Sequence, residues 1–416
     1  MREKNYLFYE KQKMRYKYCL IVNLAFFLLG GCGESKENKQ ACENRKVTYI
    51  QVKSDWKIKD GVKISTFVKN ATFVPLELTN ESLLREIGKV ERHGDYIYVI
   101  ESFRPKAIYQ FTSAGKYIRK IACLGQGPED FTELSDICVN EENGHIYVYD
   151  NGRTLIMEFT PEGKLVKTIH TGYYAESFQY KDGLFYMYSY SPVYGSSLYK
   201  IYITDQEGKK VKEYIPSKKI SIGFETSGYT KTSQDILCHE SMNDTVYSVS
   251  KDQLQLKYIF DFGEFTMPEE AKREYIHILI EDRNWEKRKP FLENYILGVR
   301  EVWETDNWIL FSCVKKYVTF YGLYNKKTSH LEMQPAFSDD MYYLYQMNVV
   351  SQQGNCFIAV ADANALSYRV NEDIPQRMKK GKIDSQKGKK IMKRIQQILP
   401  EGEEEINPVL IFYELK

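Results

Sequence analysis

YIYVIESFRPKAIYQFTSAGKYIRKI, residues 96–121, and HIYVYDNGRTLIMEFTPEGKLVKTI, residues 145–169, state one phrase twice. Tyr98 and Tyr147 hold the same place in it, as do Phe111-Thr112-x-x-Gly115-Lys116 and Phe159-Thr160-x-x-Gly163-Lys164. Each copy reads as three short strands. The first alternates up to Ile100 in the first copy, and a polar turn follows at Ser102–Lys106 or Asn151–Arg153. The next ends at Phe111 or Phe159, and a glycine turn leads into the third. A unit of this length with about four short strands is the sequence mark of a propeller blade. One such sheet cannot hide both faces alone, so neighbouring units must stack. The competing reading is a two-sheet sandwich with two similar hairpins.

The chain around this phrase fits an all-β, six-bladed β-propeller with helical insertions; five or seven blades stay open, because the later units do not repeat the phrase cleanly. Ala71–Leu78 is a strand pattern interrupted by Pro75, which suits an edge or a bulge. Val409–Leu415 is a strand at the far terminus. Pairing these two, adjacent and antiparallel in the last blade, would close the ring between the N- and C-terminal segments and remove an exposed edge. The tight loop Gly125-Gln126-Gly127-Pro128 offers Phe131 as its anchor in the core. It lacks the following helix and the Gly-Lys-Ser/Thr of a nucleotide loop. A third unit opens at Gly183 and a fourth near Ser221. Helical insertions are expected at about 263–295, where Pro268-Glu269-Glu270-Ala271 is a helix start, and at about 363–405. Between them lie a fifth unit over about 296–332 and a sixth from Leu344. In the second insertion Ile391, Ile395 and Ile398 fall near one helical face among lysines. It reads first as a solvated insertion, with contact to anionic lipid or a polyanion as the alternative.

The N-terminal end is of another kind. Residues 14–18 are basic and aromatic, Cys19–Leu29 is apolar apart from Asn23, and the run closes on Leu29-Gly30-Gly31-Cys32. That is a secretion signal over residues 1–31, with Met14 as an alternative start, ending in a lipoprotein cleavage box. Cys32 is the expected lipidation site, residues 32–46 a flexible tether, and residues 47–416 the propeller. No later stretch approaches a membrane span.

Residues 1–31 hold six basic and two acidic side chains, so the remainder carries a formal charge of about −2. A near-neutral chain argues against nucleic acid. The 34 tyrosines and 21 phenylalanines suit the faces of packed sheets. The six cysteines beyond Cys32 show no C-x-x-C spacing, and the six histidines show no local metal motif. No metal and no cofactor is expected. Asp150 and Asp205 sit where Asx side chains cap turns, and no catalytic constellation is visible.

The cleavage box at Leu29–Cys32, Phe73-Val74-Pro75-Leu76-Glu77, Ile97-Tyr98-Val99 with the turn Phe111–Lys116, and Gly125-Gln126-Gly127-Pro128-Glu129-Asp130-Phe131 together resemble the six-bladed β-propeller lipoproteins of Bacteroides and its relatives, which are NHL-like in blade shape. The usual loop in that family is close to G-x-G-P-G-E-F, and here Glu129-Asp130 replaces Gly-Glu. The resemblance implies a lipid-anchored outer-membrane or cell-envelope protein, associated with surface nutrient or carbohydrate equipment, and no defined enzymatic activity. The function expected is a ligand-binding module for a carbohydrate or for an outer-membrane partner. Its ligand would sit at one mouth of the central channel, with Tyr173, Tyr174, Tyr190 and Tyr194 as loop contacts. The alternatives are a glycan-active hydrolase or lyase with a site dispersed around the channel mouth, and a protein-interaction scaffold. Whether the chain is an enzyme stays open.

Overall fold

The structure is a computed structural model and describes residues 47–53, 56, 61–103, 106–189, 198–217, 228–240, 242–342, 344, 347–399 and 407–416. Among them are six sheets of four or five strands and one two-stranded pair. The first four sheets follow chain order. They begin with Ile87–His93, Leu134–Val139, Ser177–Lys181 and Gly228–Lys231, and end with Tyr117–Cys123, Leu165–His170, Lys210–Pro216 and Leu254–Asp261. Sheet five runs from Glu301–Glu304 to His330–Gln334. Sheet six joins Val349–Gln353 and Cys356–Ala361 to Val409–Leu415 and Val68–Pro75. The doubled phrase occupies the second to fourth strands of sheets one and two. Its Tyr98 and Tyr147 are both buried. Its glycines Gly115 and Gly163 take φ of +84° and +78°, and a Cβ at Gly115 would collide with the Pro75 carbonyl.

Ala107–Phe111 and Leu155–Phe159 are buried on both faces, and the one polar side chain in each has a partner there: Gln110 donates to the Pro161 carbonyl and Glu158 meets His145. Sheets one and two share a core of Tyr98, Ile108, Ile137 and Met157. Further cores lie between two and three, three and four, four and five, and five and six. The last, with Val74, Val90, Val99, Ile358 and Leu410, lies between six and one. The arrangement is propeller-like. The terminal strands pair antiparallel as expected, with Ile411 opposite Phe73. The N-terminal one spans Val68–Pro75 rather than 71–78, and it is an edge strand, which is why Pro75 is tolerated.

Two elements were not foreseen. Thr48–Gln51 adds a parallel fifth strand to the edge of sheet four, with Thr48 opposite Tyr258. Trp56 then packs edge-on to Phe265 and Phe320, and Val62–Lys63 pairs with Phe337–Ser338. This segment straps sheets four, five and six along their outer rim. The strand Ser177–Lys181 also precedes the expected opening of the third unit at Gly183.

Antiparallel order puts the first and third turns of every sheet at one end. Contacts between sheets bring those ends to one face: Gln353 donates to the Arg92 carbonyl, His93 meets the Glu141 carbonyl, and Lys181 donates to Gln234. The long connections therefore leave from the opposite face. They include the helices α1 (Glu269–His277) and α2 (Trp285–Asn294) between sheets four and five. Within sheet six they include α3 (Ala363–Tyr368), α4 (Ile374–Lys379) and α5 (Ser385–Gln396). Asp362 and Asp384 cap α3 and α5 by accepting backbone N–H bonds. The apolar side of α5 is not a lipid-facing surface: Ile391 and Ile395 are buried in the core between sheets five and six.

The five described cysteines beyond the N-terminal region, Cys123, Cys138, Cys238, Cys313 and Cys356, are free thiols. Cys42 lies outside the described residues. Phe131 is fully buried, and the Asp130 carboxylate folds back over the loop to accept the Gly127 N–H at 2.9 Å. A Cβ at Gly125 would strike that carboxylate, so the Glu129-Asp130 departure is accommodated by the glycine before it. Asp150 is a capping residue, as expected. Its buried carboxylate accepts from the backbone of Thr132, Glu133 and Gly152 and from Arg153 Nε.

Candidate functional site

The first strands of the six sheets carry polar side chains, because their inner edge meets a solvent-accessible space rather than another sheet. Together they line a cavity of about 940 Å³. Each is tied to the next by a hydrogen bond between a side chain and the backbone. Lys89 donates to the Ile137 carbonyl at 2.7 Å, and Asp136 accepts the Phe178 N–H at 2.9 Å. Ser177 accepts the Tyr229 N–H at 3.1 Å, and Thr230 donates to the Val302 carbonyl at 2.6 Å. Gln352 accepts the Glu304 N–H at 3.2 Å, and Ser351 accepts the Val90 N–H at 2.9 Å, which returns the circle to sheet one. These strands are too narrow to satisfy their inner edge with a neighbouring strand, so polar side chains supply the partners.

An ionic group stands on this wall. Lys89 Nζ lies 2.9 Å from Asp136 and 3.2 Å from Glu91. Lys231 on sheet four reaches Glu141 at 2.9 Å, a pairing that passes over sheet three. Burial by itself would lower the Lys89 ammonium pKa, but Asp136 and then Glu91 outweigh it and the net shift is upward. Burial pushes the Glu91 carboxyl up, against the pull of Lys89 and Lys231. The cavity wall carries both signs of charge with few aromatic groups, and it suits a polar ligand better than an apolar one. Among the described residues no group of three or more His, Cys, Asp or Glu is placed to hold a metal ion. His145, on sheet two, is a structural residue bonded to Glu158 at 2.6 Å.

A second feature stands on the face of the long connections. Trp285, at the start of α2, and Tyr317, in the turn between the second and third strands of sheet five, are 46% and 48% exposed. Their ring centroids are 5.8 Å apart. Arg288, one turn along α2, covers one side of the indole at 5.3 Å. The turn that presents Tyr317 places Lys316 and Tyr317 at φ of +47° and +67°, where glycine or asparagine is the usual choice.

Of the tyrosines expected at the ligand, Tyr190 and Tyr194 lie outside the described residues. Tyr173 and Tyr174 are half-buried on the connection between sheets two and three. Tyr173 stacks on Tyr202 with centroids 3.9 Å apart, and its carbonyl accepts the Tyr149 hydroxyl. Neither is among the residues lining the cavity. Trp285 and Tyr317 were missed. The available signal was a tryptophan in a helix whose neighbours Glu286, Lys287, Arg288 and Lys289 offer it no apolar partner.

Fold and site define a propeller-like β protein with a polar central cavity. The chain belongs to the family described as Domain of unknown function (DUF4934), which matches residues 47–414. Among solved structures it is similar to a Bacteroides fragilis protein described as exported, at 17% identity and a TM-score of 0.65, over 89% of this chain and all of that one. It is also similar to a member of the DUF4221 family from Bacteroides vulgatus, at 10% identity and a TM-score of 0.46, over 84% and 97% of the two chains. Virginiamycin B lyase from Staphylococcus aureus matches at 12% identity and a TM-score of 0.41, over 70% and 82%. No curated protein matches the sequence. Among the described residues no helix is long and apolar enough to cross a membrane.

Proposed function

We propose that this chain is a lipid-anchored six-bladed β-propeller of the cell envelope, each sheet being one blade, and that it binds a carbohydrate on the face of its long connections. The observation that carries the ligand class is the exposed Trp285–Tyr317 pair. A pyranose ring presents a flat C–H face to an aromatic ring and hydroxyls at its rim, and exposed aromatic rings beside Arg288 and Lys316 suit both. The two successive left-handed residues that hold Tyr317 outward have a conformational cost, which supports a role for the side chain they present. A ligand long enough to cross the mouth would meet Tyr173 and Tyr174 on the same face. Replacing Trp285 and Tyr317 together by Ala should weaken binding about 30-fold, from two ring contacts of roughly 1 kcal/mol each. The measurement is retardation in native gels containing a starch, a β-glucan or a mannan. Unchanged retardation of the double variant, or none of the parent chain in any gel, overturns the reading.

A second reading, a glycan-active enzyme, is favoured by one observation. Glu91 is a cavity-wall carboxyl whose pKa burial raises, as a proton donor requires.

Anchoring rests on the sequence Leu29-Gly30-Gly31-Cys32 at the end of the apolar run. Cys32→Ser is expected to move the protein from the detergent phase to the aqueous phase on Triton X-114 partitioning. A variant that stays in the detergent phase would show that Cys32 is not the anchor.

A further inference from the structure

We propose that the outer side of α5 and the turn before it form a docking surface for an anionic polysaccharide. The inner side of the helix is fully used: Ile391 and Ile395 are buried, and Gly388 is pressed so close to Met378 that a Cβ there would lie 2.3 Å from its sulfur. What faces solvent is mainly cationic; Asp384, the cap of α5, is the one exposed carboxylate between Lys379 and Gln396. Lys379, Lys380, Lys382, Lys389, Lys390 and Lys393 are all exposed, and none forms an ion pair among the described residues. Neighbouring Arg394 lies over the Tyr342 ring at 4.6 Å, which ties the helix to the body of the protein. The whole chain has a formal charge of only +2, so this concentration is local. Charges of one sign gathered on the end of α4, the turn after it and α5 repel one another and favour a ligand that neutralises them.

The side chains select among polyanions. A helix that enters a membrane interface needs a free apolar side, and here that side is buried. A protein partner needs an apolar centre, and no large hydrophobic side chain is exposed between Lys379 and Gln396 among the described residues. Lysines, as point charges on flexible stems rather than planar forks, suit carboxylate or sulfate groups repeated along a flexible polymer. The surface lies in the long connection of sheet six, on the same face as Trp285 and Tyr317, and does not depend on the carbohydrate reading of that pair.

The test uses the full chain carrying Cys32→Ser, in detergent-free buffer, with heparin, polygalacturonate and neutral dextran as probes, and vesicles of phosphatidylcholine and phosphatidylglycerol as the competing surface. Both anionic polysaccharides should bind and dextran should not, with affinity falling as salt rises. K389E/K390E/K393E should lower affinity at least tenfold and flatten the slope of log affinity against log salt by about 2–3, by release of fewer counterions. K327E, an exposed lysine in the turn between the third and fourth strands of sheet five and so on the opposite face, should keep wild-type affinity for both, which separates the lysine surface from a general effect of charge. K379E/K380E/K382E serves as a second variant should the first misfold. Absence of binding, an unchanged slope in a folded lysine variant, or binding to vesicles but not to the polysaccharides would each overturn the proposal.

Discussion

A chain ending at Pro408 is expected not to fold. The missing strand Val409–Leu415 is internal to sheet six, between Cys356–Ala361 on one side and Val68–Pro75 on the other. Val409, Leu410, Ile411, Phe412, Tyr413 and Leu415 are all buried. At roughly 1.5–3 kcal/mol for each buried apolar side chain, their loss is on the order of 10 kcal/mol. That is comparable with the whole stability of a typical domain, about 5–15 kcal/mol. The unpaired backbone of both neighbouring strands adds to it. The terminal residue has its own contacts, since the Lys416 carbonyl accepts from Asn307 and from Trp308 Nε1. Far-ultraviolet circular dichroism on heating reads the outcome. A cooperative transition within about 5 °C of the full chain would mean the last strand is dispensable, a change of less than about 4 kcal/mol for a chain of this size. Ile411→Ala grades the same effect at about 2–5 kcal/mol, the usual range for a cavity in a packed core.

That pairing was legible in the sequence because both terminal segments are strand-like and a closed repeat needs each of them. The doubled phrase was legible for a related reason. The second and third strands of sheets one and two bury both faces, and turns that demand glycine, at Gly115 and Gly163, lead from them into the fourth. First strands carry no such mark. Ser177–Lys181 and Gly228–Lys231 are short, and their inner edge meets the cavity, so neither shows a clear apolar period. The hydrogen bonds that join them pair residues such as Asp136 with Phe178 and Ser351 with Val90, and only the folded ring brings these together. Thr48–Gln51 was invisible for the same reason, because its partner Leu254–Asp261 lies some two hundred residues away. At the candidate site, tyrosine frequency drew attention to the connection after sheet two. The exposed ring pair instead combines a helix residue, Trp285, with a turn residue, Tyr317, and no local pattern couples them. In the second insertion the period of Ile391 and Ile395 was visible, but only packing shows that it is spent on the core and that the lysines alone are left outside.

Asp136→Ala is expected to destabilise the protein by about 3–5 kcal/mol, the cost of removing one partner from a largely buried ion pair. Asp136 joins three sheets. One oxygen accepts from Lys89 of sheet one at 2.9 Å, and the other accepts the Phe178 N–H of sheet three, also at 2.9 Å. The alanine variant leaves the Phe178 N–H without that acceptor. It also leaves the Lys89 ammonium with Glu91 and the Ile137 carbonyl in place of its strongest support. Lys89 and Asp136 are only 20% and 10% exposed at their side chains, so solvent screens little of this loss. Asp136→Asn separates the two contributions. Its amide oxygen can still accept the Phe178 N–H, but its NH2 then faces the Lys89 ammonium and the Ile137 N–H, so the charge and the Lys89 bond are lost together and more than half of the effect should remain. Urea unfolding of the two variants beside the parent chain is the measurement, and the order parent, Asn, Ala should hold. Equal stability of the alanine variant and the parent would mean that the apolar cores between sheets hold the ring unaided, and that the polar circle around the cavity has no structural role. A full-sized loss in both variants would place the whole effect on the charge of Lys89. If the predicted order holds, residues facing the cavity divide into two kinds. Asp136, Thr230 and Ser351 hold the wall by bonds to the next sheet, while Glu91, paired with Lys89 of its own strand, lines the cavity where a ligand would enter.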